Sequence, residues 1–368
     1  MARYHGEAPF SADSRGLHTM RAVSYAAYAE PPAMVDVADP TCPPDGVVVR
    51  VGATGVCRSD WHAWLGHDPV PLPMVPGHEL AGTVASVGPQ VTRWHVGDRV
   101  TVPFACGCGS CAWCAQGDMQ VCPQQTQPGF TGWGSFAELV AIHAADTNLV
   151  TLPRSLGFVE AASLGCRFAT AYRAVVLQGR VSPGEWLAVH GCGGVGLSAV
   201  MIGAALGAHV VALDIADAAL DTARELGAAV TLRTTGLAPA DIAAAVVKAT
   251  GGGPHASMDA LGSGPTLAAS VLSLRPRGRH LQVGLVLADG GMATVPVARA
   301  IARELEFLGV HGMSARDYPS MLAFIESSAI DVRRLVGRVI GLEDAPAALM
   351  AMSEPAASSG MTVVELGR

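Results

Sequence analysis

Four cysteines spaced Cys108-x2-Cys111-x2-Cys114-x7-Cys122 form the densest group of metal-ligating side chains in the sequence. Zinc takes four soft ligands in a tetrahedron, each sulfur about 2.3 Å away, and thiolates this close on one loop can enclose a single ion. Four thiolates leave no position for a reactant, so the spacing predicts a structural staple. Cys106 lies outside this register and reads as a spare buried thiol. A second set is dispersed: Cys57 in GVCRSDWH, His78 and Glu79 in PGHELAGTVASVG, and Cys166 in SLGCRFATAY. Singly, a cysteine is more often a small core hydrophobe, and a histidine beside a glutamate a satisfied surface pair. Together Cys57, His78 and Cys166 offer three zinc ligands and leave a fourth position for water or substrate.

The third constellation is Gly191-Cys192-Gly193-Gly194-Val195-Gly196, directly after the apolar run WLAVH and opening a helical run. Glycines here permit a tight turn and bring pyrophosphate close to the amides of a helix N-terminus, where the dipole favours an anion. A second strand follows and ends at Asp214, eighteen residues beyond Gly196. Its carboxylate can accept hydrogen bonds from a ribose 2′-hydroxyl and would repel a 2′-phosphate, which favours NAD over NADP. The residues therefore predict NAD and two zinc ions per chain.

These groups need a scaffold that brings distant segments together. From Met20 to about Leu152, short apolar runs broken by Gly, Pro and Asp (GVVVRVGATGV, LAGTVASVG, GDRVTVPF, GSFAELVAI) predict β-strands joined by turns. From about Phe168 the period changes. ATAYRAVVLQ predicts a helix, and EWLAVHG, VGLSAVMIGAALG, HVVALD and ADAALDTARELGA alternate strand and helix. DIAAAVVKATG, ASMDALG, TLAASVLSLRPRG, RHLQVGLV and LEFLGVHG continue the alternation, as in a doubly wound parallel sheet. The chain closes with a helix in SMLAFIESSA and a strand in MTVVEL. The fold class predicted is α/β.

At 368 residues the chain is long enough for two or three domains, and half of its residues are apolar, so charge-driven disorder is excluded for the bulk of it. A net charge of −7, with Lys248 the sole lysine, supplies no electrostatic reason to bind nucleic acid or an anionic membrane. Residues 186–213 lack charge over a length sufficient to cross a bilayer, yet six glycines interrupt them and no basic cluster flanks them. The first nineteen residues have no apolar core behind a basic start, so they do not resemble a secretory signal, and they are expected to be a mobile extension. Nine cysteines, an odd number, without an export signal predict reduced thiols and a cytoplasmic location.

On these motifs, and above all on Gly77-His78-Glu79-x2-Gly82-x5-Gly88, the sequence resembles the zinc-containing alcohol dehydrogenases of the medium-chain dehydrogenase/reductase family from Met20 to about Leu366. The resemblance implies a mainly β, GroES-like catalytic domain over residues 20–167 that carries the structural zinc loop. It implies a Rossmann NAD-binding domain over 168–313, a return to the catalytic domain over 314–368, and an active site in the cleft. It implies that Cys57, His78 and Cys166 hold the catalytic zinc, with Glu79 an occasional further ligand beside it. Ser59 and His62 match a proton relay, Arg58 a pyrophosphate contact and Thr170 a nicotinamide contact. Phe104 and Leu285 match walls of the substrate pocket, with Trp61 and Trp133 as neighbours.

Where many relatives carry a basic pyrophosphate contact near the C-terminus, the chain has Met361, and Ala219 stands where a lysine is often found. The implied reaction is reversible hydride transfer between an alcohol and NAD, giving an aldehyde or ketone, in a homo-oligomeric dimer or tetramer with no nucleic-acid or membrane partner. The apolar walls suit uncharged alcohols. A polyol, threonine or thiol-adduct aldehyde dehydrogenase would share the motifs. A zinc-ribbon interaction module or a nucleotide sensor on the same scaffold are readings from other classes, and a sensor would have no need of Cys57, His78 and Cys166.

Overall fold

The computed structural model describes residues 18–354 and 360–367. The extension expected to be mobile falls outside these residues except at its end. There Thr19 already pairs with Ala38, so the first strand begins one residue before Met20. In chain order the strands are β1 (Thr19–Ser24), β2 (Ala33–Ala38), β3 (Val47–Val56), β4 (Glu79–Val87), β5 (Arg99–Val102), β6 (Leu139–Ile142) and β7 (Val150–Thr151). Then come β8 (Trp186–His190), β9 (His209–Asp214), β10 (Val230–Arg233), β11 (Ala256–Asp259), β12 (Arg279–Gln282), β13 (Glu306–Gly309), β14 (Val336–Ile340) and β15 (Met361–Glu365).

Two large sheets result. One runs β10-β9-β8-β11-β12-β13 and is parallel throughout. Its central strands are buried almost end to end, as expected when helices cover both faces. The other runs β14-β15-β3-β4-β5-β7, with β6 on β3. Its β14 and β15 come from the C-terminal region, Val363 lying opposite Gly55, so the chain returns to the sheet built from β3 to β7, while β1 and β2 pair separately. The charge-free stretch at 186–213 resolves into β8, the helix Gly194–Ala205 and part of β9, and no described helix is long and apolar enough to cross a membrane.

The run Phe158–Gln178 passes from the sheet of β3 to β7 to the parallel sheet as almost continuous helix, without a linker at 167/168. The expected helix at ATAYRAVVLQ is therefore longer than its apolar period, and it contains π-helical turns at Leu164–Phe168 and Arg173–Gln178. Local periodicity could not reveal this, because a π turn inserts a residue out of phase with a 3.6-residue repeat. Phe158 and Ala162 pack on Ala53 and Val363, which seats the run on the β3/β15 face and delivers Cys166 to the ends of β3 and β4.

Candidate active site

Register brings the dispersed ligands together. β3 and β4 are antiparallel with Gly55 opposite Glu79, so Cys57, just past β3, and His78, just before β4, emerge at the same end. Cys166 arrives in the π turn. The ligand atoms of Cys57, His78 and Cys166 all lie within 4.8 Å of one another. His78 is buried, and its Nε2 has no hydrogen-bond partner among the described residues. A sealed, unpaired imidazole nitrogen beside two sulfurs is costly unless a cation takes its lone pair, so the donor set fits a zinc ion.

Asp60 was not singled out in the sequence, and it fixes the geometry. It is buried on the short helix Arg58–Trp64 and accepts three hydrogen bonds. His78 Nδ1 donates to Oδ1 at 2.9 Å, the Gly77 amide to Oδ1 at 3.0 Å, and the Cys57 amide to Oδ2 at 3.0 Å. The carboxylate thereby holds the tautomer that turns Nε2 to the metal position. Burial works against a charged His78, but Asp60 and the Cys57 sulfur outweigh it and hold the imidazole pKa well above its ordinary value, so Nε2 is a strong base toward a proton or a metal ion. The neighbouring Cys166 thiol, with His78, holds the Cys57 thiol well below its usual range against the opposing effect of burial, and Cys57 with burial pushes Cys166 up.

Glu79 is buried but turned to Arg167. Its Oε1 accepts from Arg167 Nε at 3.0 Å and from the amides of Cys166 and Arg167 at 3.3 and 3.2 Å, while Nη2 donates to Oε2. In this geometry Glu79 is not in the ligand group. Phe104 and Phe130 stand edge-on to the His78 ring, with centroids 6.0 and 5.2 Å away, and Phe104 also meets His311. Leu285 lies on the loop after β12 and is 53% exposed. Trp133 is half-buried and donates to the Pro73 carbonyl, and Trp61 packs beside the rings of His62 and His67.

Ser59 Oγ lies 3.8 Å from the Cys57 sulfur. His62 Nδ1 and His67 Nδ1 are 3.1 Å apart, so one must donate to the other. Arg58 donates to the Met352 carbonyl and lies over the Trp61 ring at 4.7 Å, because its short helix packs on the C-terminal return. Thr170 is buried one turn past Cys166. Met361 opens β15 and is 1% exposed in the main core, and Ala219 packs against that core.

The glycine turn joins β8 to the helix Gly194–Ala205. Gly191 has φ +93°, and a Cβ on Gly196 would come 1.8 Å from the Gly191 carbonyl oxygen, so neither position accepts a side chain without rearrangement. Val195 packs on the main core, and Gly193 caps the helix with open space around it. Asp214 accepts from the Cys192 amide at 2.7 Å and from the amides of Ile215 and Ala216 at 2.7 and 2.9 Å, which ties the end of β9 to the turn. Exposed Ile215 and Leu261 follow β9 and β11, the strands either side of β8. Their signal, one apolar residue just past a strand end, is too common to stand out in sequence.

The sulfurs of Cys108, Cys111, Cys114 and Cys122 also lie within 4.8 Å of one another. Amides of Cys114, Cys108 and Gln124 donate to Cys111 and Cys122 sulfurs at 3.3 to 3.4 Å, so the loop's own backbone wraps these sulfurs. Cys106 stays outside this group, its thiol pushed up to about 12 by burial.

A parallel nucleotide-type sheet, a GroES-like partner sheet and two candidate zinc sites, one of four thiolates and one of Cys, His and Cys, together define a zinc-dependent dehydrogenase. Residues 43–154 match the family described as Alcohol dehydrogenase GroES-like domain, and residues 194–327 that described as Zinc-binding dehydrogenase. An alcohol dehydrogenase of Geobacillus stearothermophilus is 34% identical over 308 residues, 83% of this chain and 88% of the relative. Alcohol dehydrogenase TADH from Thermus sp. ATN1 superposes with a TM-score of 0.85 at 28% identity, over 94% of this chain and all of that one. A zinc-binding dehydrogenase from Sinorhizobium meliloti 1021, solved bound to NADP, gives 0.84 at 26% identity over 95% and 99%. The chain belongs to the zinc-containing medium-chain alcohol dehydrogenase family.

Proposed function

We propose that the chain oxidises an alcohol to an aldehyde or ketone with NAD, reversibly, at Cys57, His78 and Cys166. The observation that carries this reading is the unpaired His78 Nε2, buried between two sulfurs and flanked by Phe104 and Phe130. A zinc ion held there supplies Lewis acidity toward the alcohol oxygen, and NAD supplies the hydride acceptor. Phe104 and Phe130 exclude water and favour an uncharged substrate. Ser59 and His62 carry the proton outward. Burial and the neighbouring His67 and Arg58 lower His62 to about 4, so it is neutral at pH 7 and does not retain a proton but passes it on toward His67. In this reading Arg58 exchanges the Met352 carbonyl for pyrophosphate, Thr170 meets the nicotinamide, and Leu285, Trp61 and Trp133 border the pocket. Ile215 and Leu261 offer apolar faces to the adenine.

Asp214 supports NAD over NADP. A carboxylate has about four acceptor sites, so three amide bonds leave room for a ribose hydroxyl. A substrate panel followed by NADH absorbance, run with each cofactor, with and without a zinc chelator, tests the reading. NAD should win by at least about tenfold in kcat/KM, because a 2′-phosphate would meet the Asp214 charge. Turnover that is indifferent to chelation, or best with NADP, would refute the assignment.

A homo-oligomer is part of the proposal. β13 is an edge strand with Phe307 exposed, and the helix Val297–Arg303 buries none of its residues. Light scattering of the same preparation should give a multiple of one chain's mass. We also infer a cytoplasmic location, supported by nine free cysteines. Fractionation that finds the protein exported would overturn it.

A further inference from the structure

We propose that Arg167 joins the metal site to the dinucleotide: one edge of its guanidinium anchors Glu79 and the other takes a phosphate oxygen of the cofactor. The inference rests on the dinucleotide reading of the glycine turn. Arg167 follows Cys166 in the π turn, and the residue is only 7% exposed. Burying an ion pair costs several kcal/mol per ion in desolvation, so a hydrophobic pair of similar volume would serve stability at least as well. A buried Arg167–Glu79 pair therefore points to a use for the charge.

The direction of that use is set by Gly194. A Cβ there would lie 2.5 Å from Arg167 Cδ and 3.5 Å from Cγ and Nε, so the arginine stem lies against the first residue of the helix Gly194–Ala205. The first amides of that twelve-residue helix have no intrahelical acceptor and carry the positive end of its dipole. Guanidinium has five N–H donors in a rigid fork that matches phosphate. Nε and Nη2 are spent on Glu79, while Nη1 has no partner among the described residues. Arg58 is engaged with Met352, and Met361 is apolar and buried. Of these three residues, Arg167 is the one whose side chain lies against the glycine turn, through its contact with Gly194. A phosphate on Nη1 then shares the guanidinium with Glu79, so that cofactor binding loosens the carboxylate beside His78.

The test measures binding of ADP-ribose and of phosphate-free adenosine to the zinc-loaded protein. Three forms are compared: wild type, Arg167→Met, and the double variant Arg167→Met with Glu79→Gln, in which no carboxylate is left bare. Loss of a charge-assisted bond should weaken ADP-ribose by about ten- to hundredfold in both variants, with adenosine within twofold of wild type. The proposal is overturned if adenosine weakens in proportion, if Arg167→Met binds ADP-ribose normally, or if the double variant recovers wild-type affinity, since Arg167 would then serve only Glu79. If Arg167→Met does not fold, the double variant decides alone. Wild type that binds no ADP-ribose would sink the dinucleotide reading itself, and this proposal with it.

Discussion

Cys57→Ala is expected to cut NAD-dependent alcohol oxidation by about a thousandfold or more while the protein stays folded. The size follows from the role. Polarisation of a substrate oxygen by zinc contributes several kcal/mol to the barrier, and each 1.36 kcal/mol is tenfold in rate. Removing one of three ligands forfeits most of it. The fold should survive because Cys57 contributes one sulfur at the edge of a core built by Val56, Ala63 and Trp64, and the Asp60 carboxylate still receives the residue-57 amide. Initial rates at saturating NAD and thermal melting on the same sample check both halves. Wild-type rates in the variant would remove Cys57 from the site. A collapsed melting transition would show that the residue is structural.

Asp60→Ala should cost the Cys57, His78, Cys166 site about ten- to hundredfold in zinc affinity and leave the four-cysteine loop loaded. The substitution strips an acceptor from three buried donors at once, His78 Nδ1 and the amides of Cys57 and Gly77. The ring is then free to rotate or to change tautomer, and Nε2 loses its fixed aim. Zinc release against graded chelator, followed with a colorimetric indicator, should show one ion leaving early and one late. Two ions leaving together at wild-type chelator concentrations would mean that Asp60 does not orient the ligand.

These expectations differ in how far the sequence announced them. The four-cysteine loop was legible because its ligands are local, as was the glycine turn, where a strand, a turn and a helix follow one another in print. Cys57, His78 and Cys166 read as a candidate ligand set from their types, but their proximity was not legible, since convergence depends on the β3/β4 register and on a π turn that leaves no periodic trace. Asp60 sits in the first turn of a short helix, where an acidic residue is ordinary. Only the fold shows that its side chain turns inward. Arg167 was hidden because one basic residue in an apolar segment has no partner in sequence: Glu79 lies 88 positions away. The absence of a basic residue at Met361 was visible, but not that another arginine lies against Gly194.

Anomalous diffraction at the zinc absorption edge on crystals of the native protein tests the convergence of Cys57, His78 and Cys166 most directly. Two peaks per chain are predicted, one enclosed by the sulfurs of Cys108, Cys111, Cys114 and Cys122, the other bounded by the Cys57 and Cys166 sulfurs and His78 Nε2. A lone peak in the four-cysteine loop, from protein prepared without chelator in zinc-supplemented medium, would contradict the account.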